Sequence, residues 1–406
     1  MAKSARWMSG QALALVLAAM PLDARAQPAP GGRPPLQFAV PAIDGKATLA
    51  GQIDFPADLR GKAPLVMLVP GTGVFDRKAL FGDSKTDRDF VFEDLKNGLV
   101  AAGLAVLRFD LRGVRCTALD VHYPTGADGD ARRTLYIESC IDNAVRKTVT
   151  PQTSLDDIAA VLAFGLRQPD IDAQAAVVLA HSEGTLHVAK LLQTAPRLVK
   201  GVVLVGPVLA SPAATVRWQI TDRIGEAMRA LERQPGSLTA DDIRAGYDRS
   251  ILRLLGPIEH FLPPQGEVWT EADWDKARAD RIQQYDIFKR EALASDDDAP
   301  YPPSGPIVQA SFAWWKMFFT DAIPVAERLA DFPGSVHCIF GGRDSQTNYR
   351  FQIRSLESLR SDQRARFVVK VLEDYGHTLG EHPTFAPMAP DAKAYLVETV
   401  GRVARE

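Results

Sequence analysis

No run of about 20 apolar residues occurs in the chain, so the sequence offers no membrane-spanning helix. A basic excess is missing too. Lys and Arg number 47 against 50 Asp and Glu, a formal charge of −3, which argues against nucleic acid or another polyanion as partner. Cysteine is scarce, at three residues in 406, which excludes a disulfide-built miniature scaffold. The sequence has no H-E-x-x-H, and His181 and His187 stand six apart where a zinc pair on a helix needs four, so neither metal nor cofactor is expected. Internal repeats and low-complexity tracts are also missing beyond the N-terminal lead. What the chain does have is length and apolar content: 406 residues, 46% of them hydrophobic, suffice for a large buried core.

The first residues carry an address. Lys3 and Arg6 precede the apolar stretch 12–20, and Ala24-Arg25-Ala26 puts small residues where a signal peptidase reads. Residues 1–26 therefore read as a secretory signal peptide, and the Pro- and Gly-rich 27–37 as a flexible lead-in. The expected destination is periplasmic or secreted. In an oxidising compartment Cys116 and Cys140, which bracket a polar insertion at 113–150, are expected to close a disulfide; the alternative is two reduced thiols too far apart to join. Cys338, within an apolar run, reads as a core thiol.

The chemistry is concentrated in Ala180-His181-Ser182-Glu183-Gly184, between the apolar run 176–179 and a helical pattern at 185–192. A serine there sits on a tight strand-to-helix turn flanked by small residues. Downstream, the strand-like 335–340 runs into Gly341-Gly342-Arg343-Asp344, and the β-branched 367–372 into Glu373-Asp374-Tyr375-Gly376-His377. Ser182, Asp344 and His377 thus follow one another in the order Ser, Asp, His, each in the loop after a strand. A serine hydroxyl needs an imidazole to take its proton, and the imidazole needs a carboxylate to set its tautomer. Asp321 and Asp374 are the substitutes should Asp344 be only a helix cap. The oxyanion also needs donors. The N–H of Glu183 is one, and Pro70-Gly71-Thr72-Gly73, leaving the apolar strand 64–69, supplies Thr72 N–H as the other.

Between these motifs strands and helices alternate, which builds a mostly parallel sheet covered by helices on both faces. Asp44-Gly45 marks an opening hairpin, 90–102 a helix, and Ser154 with Asp157 a capping-box start for another. The core is expected over 38–207 and 334–406. The intervening 208–333, helix-forming at 217–233, 240–255 and 271–293, reads as a helical cap inserted late in the sheet. Its aromatics Trp218, Trp314, Trp315 and Phe318 are candidates for lining a substrate pocket, or else pack the cap onto the sheet.

These residues resemble the α/β-hydrolase superfamily, in its secreted esterase-like and serine-aminopeptidase-like branch. The resemblance rests on Pro70-Gly71-Thr72-Gly73 with Asp76-Arg77, on Leu107 to Gly113, on His181 to Gly184, and on the late Gly341 to Asp344 and Gly376-His377. It departs in having Ala180 for the usual glycine and no His-Gly start to the oxyanion loop. The resemblance implies an α/β-hydrolase fold and cofactor-independent hydrolysis of a small-molecule carboxylic ester. A peptidase or amidase using the same triad is the first alternative, and a non-catalytic binding protein on the same fold the second. Glu183 bears on the choice: its carboxylate either faces a substrate amine or serves Arg77 or Arg112 as a structural partner. Oligomeric state is not legible.

Overall fold

The structure, a computed structural model, describes residues 33–81, 87–264, 266–304 and 307–406. The signal peptide expected at 1–26 lies outside them, as does most of the lead-in.

Eight strands form one sheet: β1 (Leu36–Pro41), β2 (Thr48–Asp54), β3 (Ala63–Val69), β4 (Ala105–Phe109), β5 (Ile171–His181), β6 (Gly201–Val205), β7 (Ser335–Gly341) and β8 (Phe367–Leu372). Their order across the sheet is β1-β2-β4-β3-β5-β6-β7-β8. From β4 to β8 every pairing is parallel, while the β1–β2 hairpin joins the sheet antiparallel to β4. Gly45 turns that hairpin at φ +69°, the left-handed region that costs glycine nothing.

The central strands read as unbroken apolar runs because both of their faces are buried. Leu65, Met67 and Val69 of β3 join the core on one side, with Val178, Ala180, Val202 and Leu204. Val66 and Leu68 point the other way, with Val177, Leu179, Val203 and Val205. This is the two-residue period of a strand, doubled because helices cover each face. On the first side lie α3 (Pro151–Leu166) and α4 (Gly184–Thr194), on the second α1 (Val91–Ala101) and α8 (Pro390–Arg405).

The helix expected to be capped by Ser154 is capped four residues earlier, by Thr150. Thr150 caps it through Thr153, and Pro151 takes the first turn, where its missing N–H is not needed. Asp157 is no cap residue: its carboxylate is bound by Arg112 at 2.7 and 2.8 Å.

Two long excursions leave the sheet. The first, after β4, contains α2 (Gly129–Cys140) and is closed by a disulfide between Cys116 and Cys140, whose Cα atoms are 5.0 Å apart. Closing a loop of this length constrains the unfolded chain. Replacing both cysteines with serine is expected to lower stability by about 3 kcal/mol, read as a shift in the urea midpoint; an unchanged midpoint would mean that non-covalent packing alone holds the loop. Cys338 is free and buried, and burial pushes its thiol pKa up. The second excursion, after β6, carries α5 (Pro212–Thr221), α6 (Glu271–Ala294) and α7 (Phe312–Thr320) among shorter helices. Among the described residues no helix is long and apolar enough to cross a membrane.

Candidate active site

At the carboxyl end of the sheet the backbone turns sharply from β5 into α4, and Ser182 occupies the turn with φ +53°. Among the described residues only Ala79, Ser182 and Leu379 are non-glycine residues with positive φ. All three lie in segments around this site, and such backbone persists only where its surroundings over-determine it. For Ser182 they do: its N–H donates to Val205 O at 3.0 Å, and its carbonyl accepts the Thr185 N–H. Gly184 permits the elbow, because a Cβ there would lie 2.5 Å from Pro70 O. Ala180 replaces the glycine of the usual motif without difficulty, buried within β5 opposite Leu204.

Asp344 and His377 meet although they are 33 residues apart. The two leave the adjacent strands β7 and β8, and His377 Nδ1 lies 2.8 Å from Asp344 Oδ2. The other carboxylate oxygen, Oδ1, accepts the N–H groups of Gln346 (2.7 Å) and Thr347 (2.9 Å), and Thr347 Oγ1 is 2.8 Å from Oδ2. Burial pushes the Asp344 pKa up, but the charge and hydrogen bond of His377 together with the Thr347 donors outweigh it and leave it below the ordinary carboxylate value. The helix downstream is capped by Asn348 instead. Neither substitute reaches His377: Asp321 pairs with Lys190 and Arg328, and Asp374 is exposed.

His181 adds a brace. Its Nε2 lies 3.2 Å from the His377 carbonyl, an acceptor only, so Nε2 carries the proton and donates. The two rings are 4.6 Å apart. Burial, and then the neighbouring His377, push the His181 pKa down to about 3. The unfolded chain therefore binds a proton that the folded chain refuses between the ordinary histidine value of ~6.5 and about 3. Stability is expected to fall as pH drops through that window, by up to ~1.4 kcal/mol per pH unit from this residue. His181→Gln, which keeps a donor toward His377, should flatten the acid limb measured by urea denaturation at several pH values; an unchanged limb would refute the assignment.

On the opposite side of the serine lies the loop leaving β3. Gly71 lets it close in, since a Cβ there would stand 2.7 Å from Ser182 Cβ. Thr185 N–H and Leu186 N–H are taken by Ser182 O and Glu183 O. That leaves Glu183 and Gly184 as the amides at the start of α4 without an acceptor in the helix. Thr72 Oγ1 donates to Glu183 Oε2 at 2.5 Å, tying the two expected donor residues together.

The Glu183 carboxylate has a structural role, with partners other than those expected. It pairs with neither of the expected arginines, because Arg77 pairs with Asp110, and Arg112 with Asp157 and Asp44. Instead Oε1 accepts from Trp314 Nε1 (2.5 Å) and His187 Nε2 (3.0 Å). Burial raises its pKa, and His187, Thr72 and Trp314 more than offset this. Sequence reasoning also missed Arg146, whose buried guanidinium bonds the carbonyls of Gly73, Arg112 and Gln309 and so braces the loop leaving β3. An arginine in a polar insertion carries no signal that it folds inward.

A cavity of about 330 Å³ brings together Ser182, His377, Thr72 and Glu183. Of the expected pocket aromatics, Trp314, Trp315 and Phe318 line it. Trp218 does not. It stacks on Phe351 with its indole N–H on Glu226, and α5 turns Thr215, Val216 and Gln219 to the cavity instead. From the insertion at 113–150, Arg133 of α2 reaches the cavity wall.

A family model described as the alpha/beta hydrolase family matches residues 66–386. The chain belongs to the alpha/beta hydrolase family. The matched stretch of this hydrolase includes the loop Pro70-Gly71-Thr72-Gly73, the turn at Ser182, Asp344 and His377. No curated protein matches it. Similar solved structures include Est1E from Butyrivibrio proteoclasticus, 14% identical with a TM-score of 0.47, covering 91% of this hydrolase and 99% of Est1E. The esterase domain of a Rhodothermus marinus protein is 14% identical with a TM-score of 0.44, over 92% and 98% of the two chains. DcsB in complex with its substrate analogue is 15% identical with a TM-score of 0.48, over 92% and 98%.

Proposed function

We propose that this hydrolase is an exported serine esterase that cleaves carboxylic esters through an acyl-enzyme. One observation carries the reading: Ser182, on its left-handed turn, shares a cavity with His377, whose Nδ1 is 2.8 Å from the buried Asp344. Ser182 Oγ attacks the ester carbonyl while His377 Nε2 takes its proton, and Asp344 holds the imidazole in the tautomer that leaves Nε2 free. The N–H groups of Thr72 and Glu183 receive the oxyanion. His377 then returns the proton to the leaving alcohol, and water repeats the sequence on the acyl-enzyme. The disulfide is in keeping with export.

The amidase alternative loses its main support, since the Glu183 carboxylate is spent on three protein donors. Labelling the purified protein with a fluorophosphonate, with parallel turnover of p-nitrophenyl esters and a matched anilide, tests the reading. Modification of Ser182 with the ester hydrolysed far faster than the anilide is expected. A folded protein unlabelled at every serine would overturn it.

A further inference from the structure

The site cavity adjoins a second cavity of about 720 Å³, and Gly73, Phe75, Leu80, Phe81, Arg133 and Phe385 line both. The shared wall lies on the His377 side. Phe385 meets the His377 ring edge-on at 6.0 Å and stacks on Phe81 at 5.5 Å. The leaving oxygen must lie where His377 can protonate it, so the alcohol half of a substrate is the half directed toward this wall and the cavity beside it. Trp314, Trp315 and Phe318 line the site cavity and not the outer one, and suit the acyl half.

The outer cavity holds two exposed guanidinium groups, Arg133 and Arg253, neither with a carboxylate partner among the described residues. This sets them apart from Arg77, Arg108 and Arg112, all ion-paired. Two carboxylates line the same space. Asp76 is buried and occupied by the N–H groups of Lys78, Ala79 and Ala118, and Asp248 is exposed. His382 is turned to Thr384, with its Nδ1 2.8 Å from the hydroxyl.

The helix that carries Arg133 is anchored on either side of the loop it faces. One turn further along α2, Tyr136 is buried and donates its hydroxyl to Val74 O in the oxyanion loop at 3.1 Å. Cys140 ends the same helix in the disulfide. The helix that carries Arg133 is thus anchored relative to the reacting centre, and a guanidinium selects a carboxylate or phosphate by a forked pair of hydrogen bonds.

Building on the esterase reading, we infer that the preferred substrates are esters whose alcohol portion carries an anionic group, bound by Arg133 and Arg253 in the outer cavity. The test compares phenyl butyrate, 3-carboxyphenyl butyrate and monophenyl succinate, the last with its carboxylate on the acyl half. The 3-carboxyphenyl ester should show kcat/KM roughly tenfold above the phenyl ester, the size of one charged hydrogen-bonded pair, expressed mainly in KM and weakened by salt. Arg133→Gln with Arg253→Gln should bring the ratio of kcat/KM for the 3-carboxyphenyl ester over the phenyl ester, each measured in the same variant, down to about one. Replacing the carboxylate by a phosphate on the phenol, at equal acyl chain, distinguishes which anion is favoured. Equal kcat/KM for the charged and neutral phenols, a preference that survives the double substitution, or selection of monophenyl succinate would each overturn the inference. Calorimetric binding of 3-hydroxybenzoate over phenol, lost in the double variant, reads the subsite without turnover, so its failure is separable from a failure of the esterase reading.

Discussion

Ser182→Ala is expected to lower kcat on a p-nitrophenyl ester by about 10⁶-fold, the loss seen when nucleophile, base and acid act as one unit. The substitution removes one oxygen. It leaves the Ser182 N–H on Val205 O and the carbonyl under Thr185 untouched, since both belong to the backbone. Alanine inherits the φ of +53°, so the strained turn and the urea midpoint should persist, while fluorophosphonate labelling disappears. Residual activity within tenfold of the parent would mean that another group is the nucleophile.

Asp344→Asn should reduce kcat by about 10⁴-fold, for a reason set by this particular loop. Oδ1 accepts two backbone N–H groups, from Gln346 and Thr347, and only an oxygen can do so. The asparagine amide nitrogen is therefore driven to the Oδ2 position, 2.8 Å from His377 Nδ1. There it donates to Nδ1 and shifts the imidazole proton to Nε2, the atom that must accept from Ser182. Thr347 Oγ1 is not stranded by the change, because Gly206 O, at 3.0 Å, can take its proton. Steady-state kinetics with proton NMR of the imidazole would show the altered tautomer in a folded protein. Asp321→Asn serves as the control, since Asp321 is engaged with Lys190 and Arg328, and its kcat should stay near that of the parent.

Strain and charge explain the layout of this end of the sheet. Burying Asp344, His377 and His181 together is tolerable only because each polar atom that must be ionic or donating has a partner from a neighbouring loop. Thr347 and Gln346 supply those partners to Asp344, and the His377 carbonyl supplies one to His181. The same logic holds behind the oxyanion loop, where Glu183 collects Thr72, His187 and Trp314.

Read along the chain, the strands were legible because central parallel strands, buried on both faces, must be apolar at successive positions, as in 64–69 and 176–179. The loops that follow them had to carry any chemistry, since the carboxyl ends of such strands are where an open sheet is accessible. Ser182, Asp344 and His377 were therefore visible as residue types at strand exits, and Cys116 and Cys140 as brackets of one insertion. Contacts between distant segments were not visible. That Oδ1 of Asp344 meets two amides, that Glu183 turns to Trp314 across 131 residues, that α5 presents Thr215 and not Trp218, and that Arg146 is buried while Arg133 is free all depend on helix rotation and on how loops pack. Each residue advances a helix by 100°, so a shift of one residue in docking redirects every side chain. By itself the sequence determined the elements, their order and the residue types at their ends; the tertiary structure alone decided which polar atoms meet, because burial makes each unpaired group costly and leaves the packed chain few ways to satisfy them all.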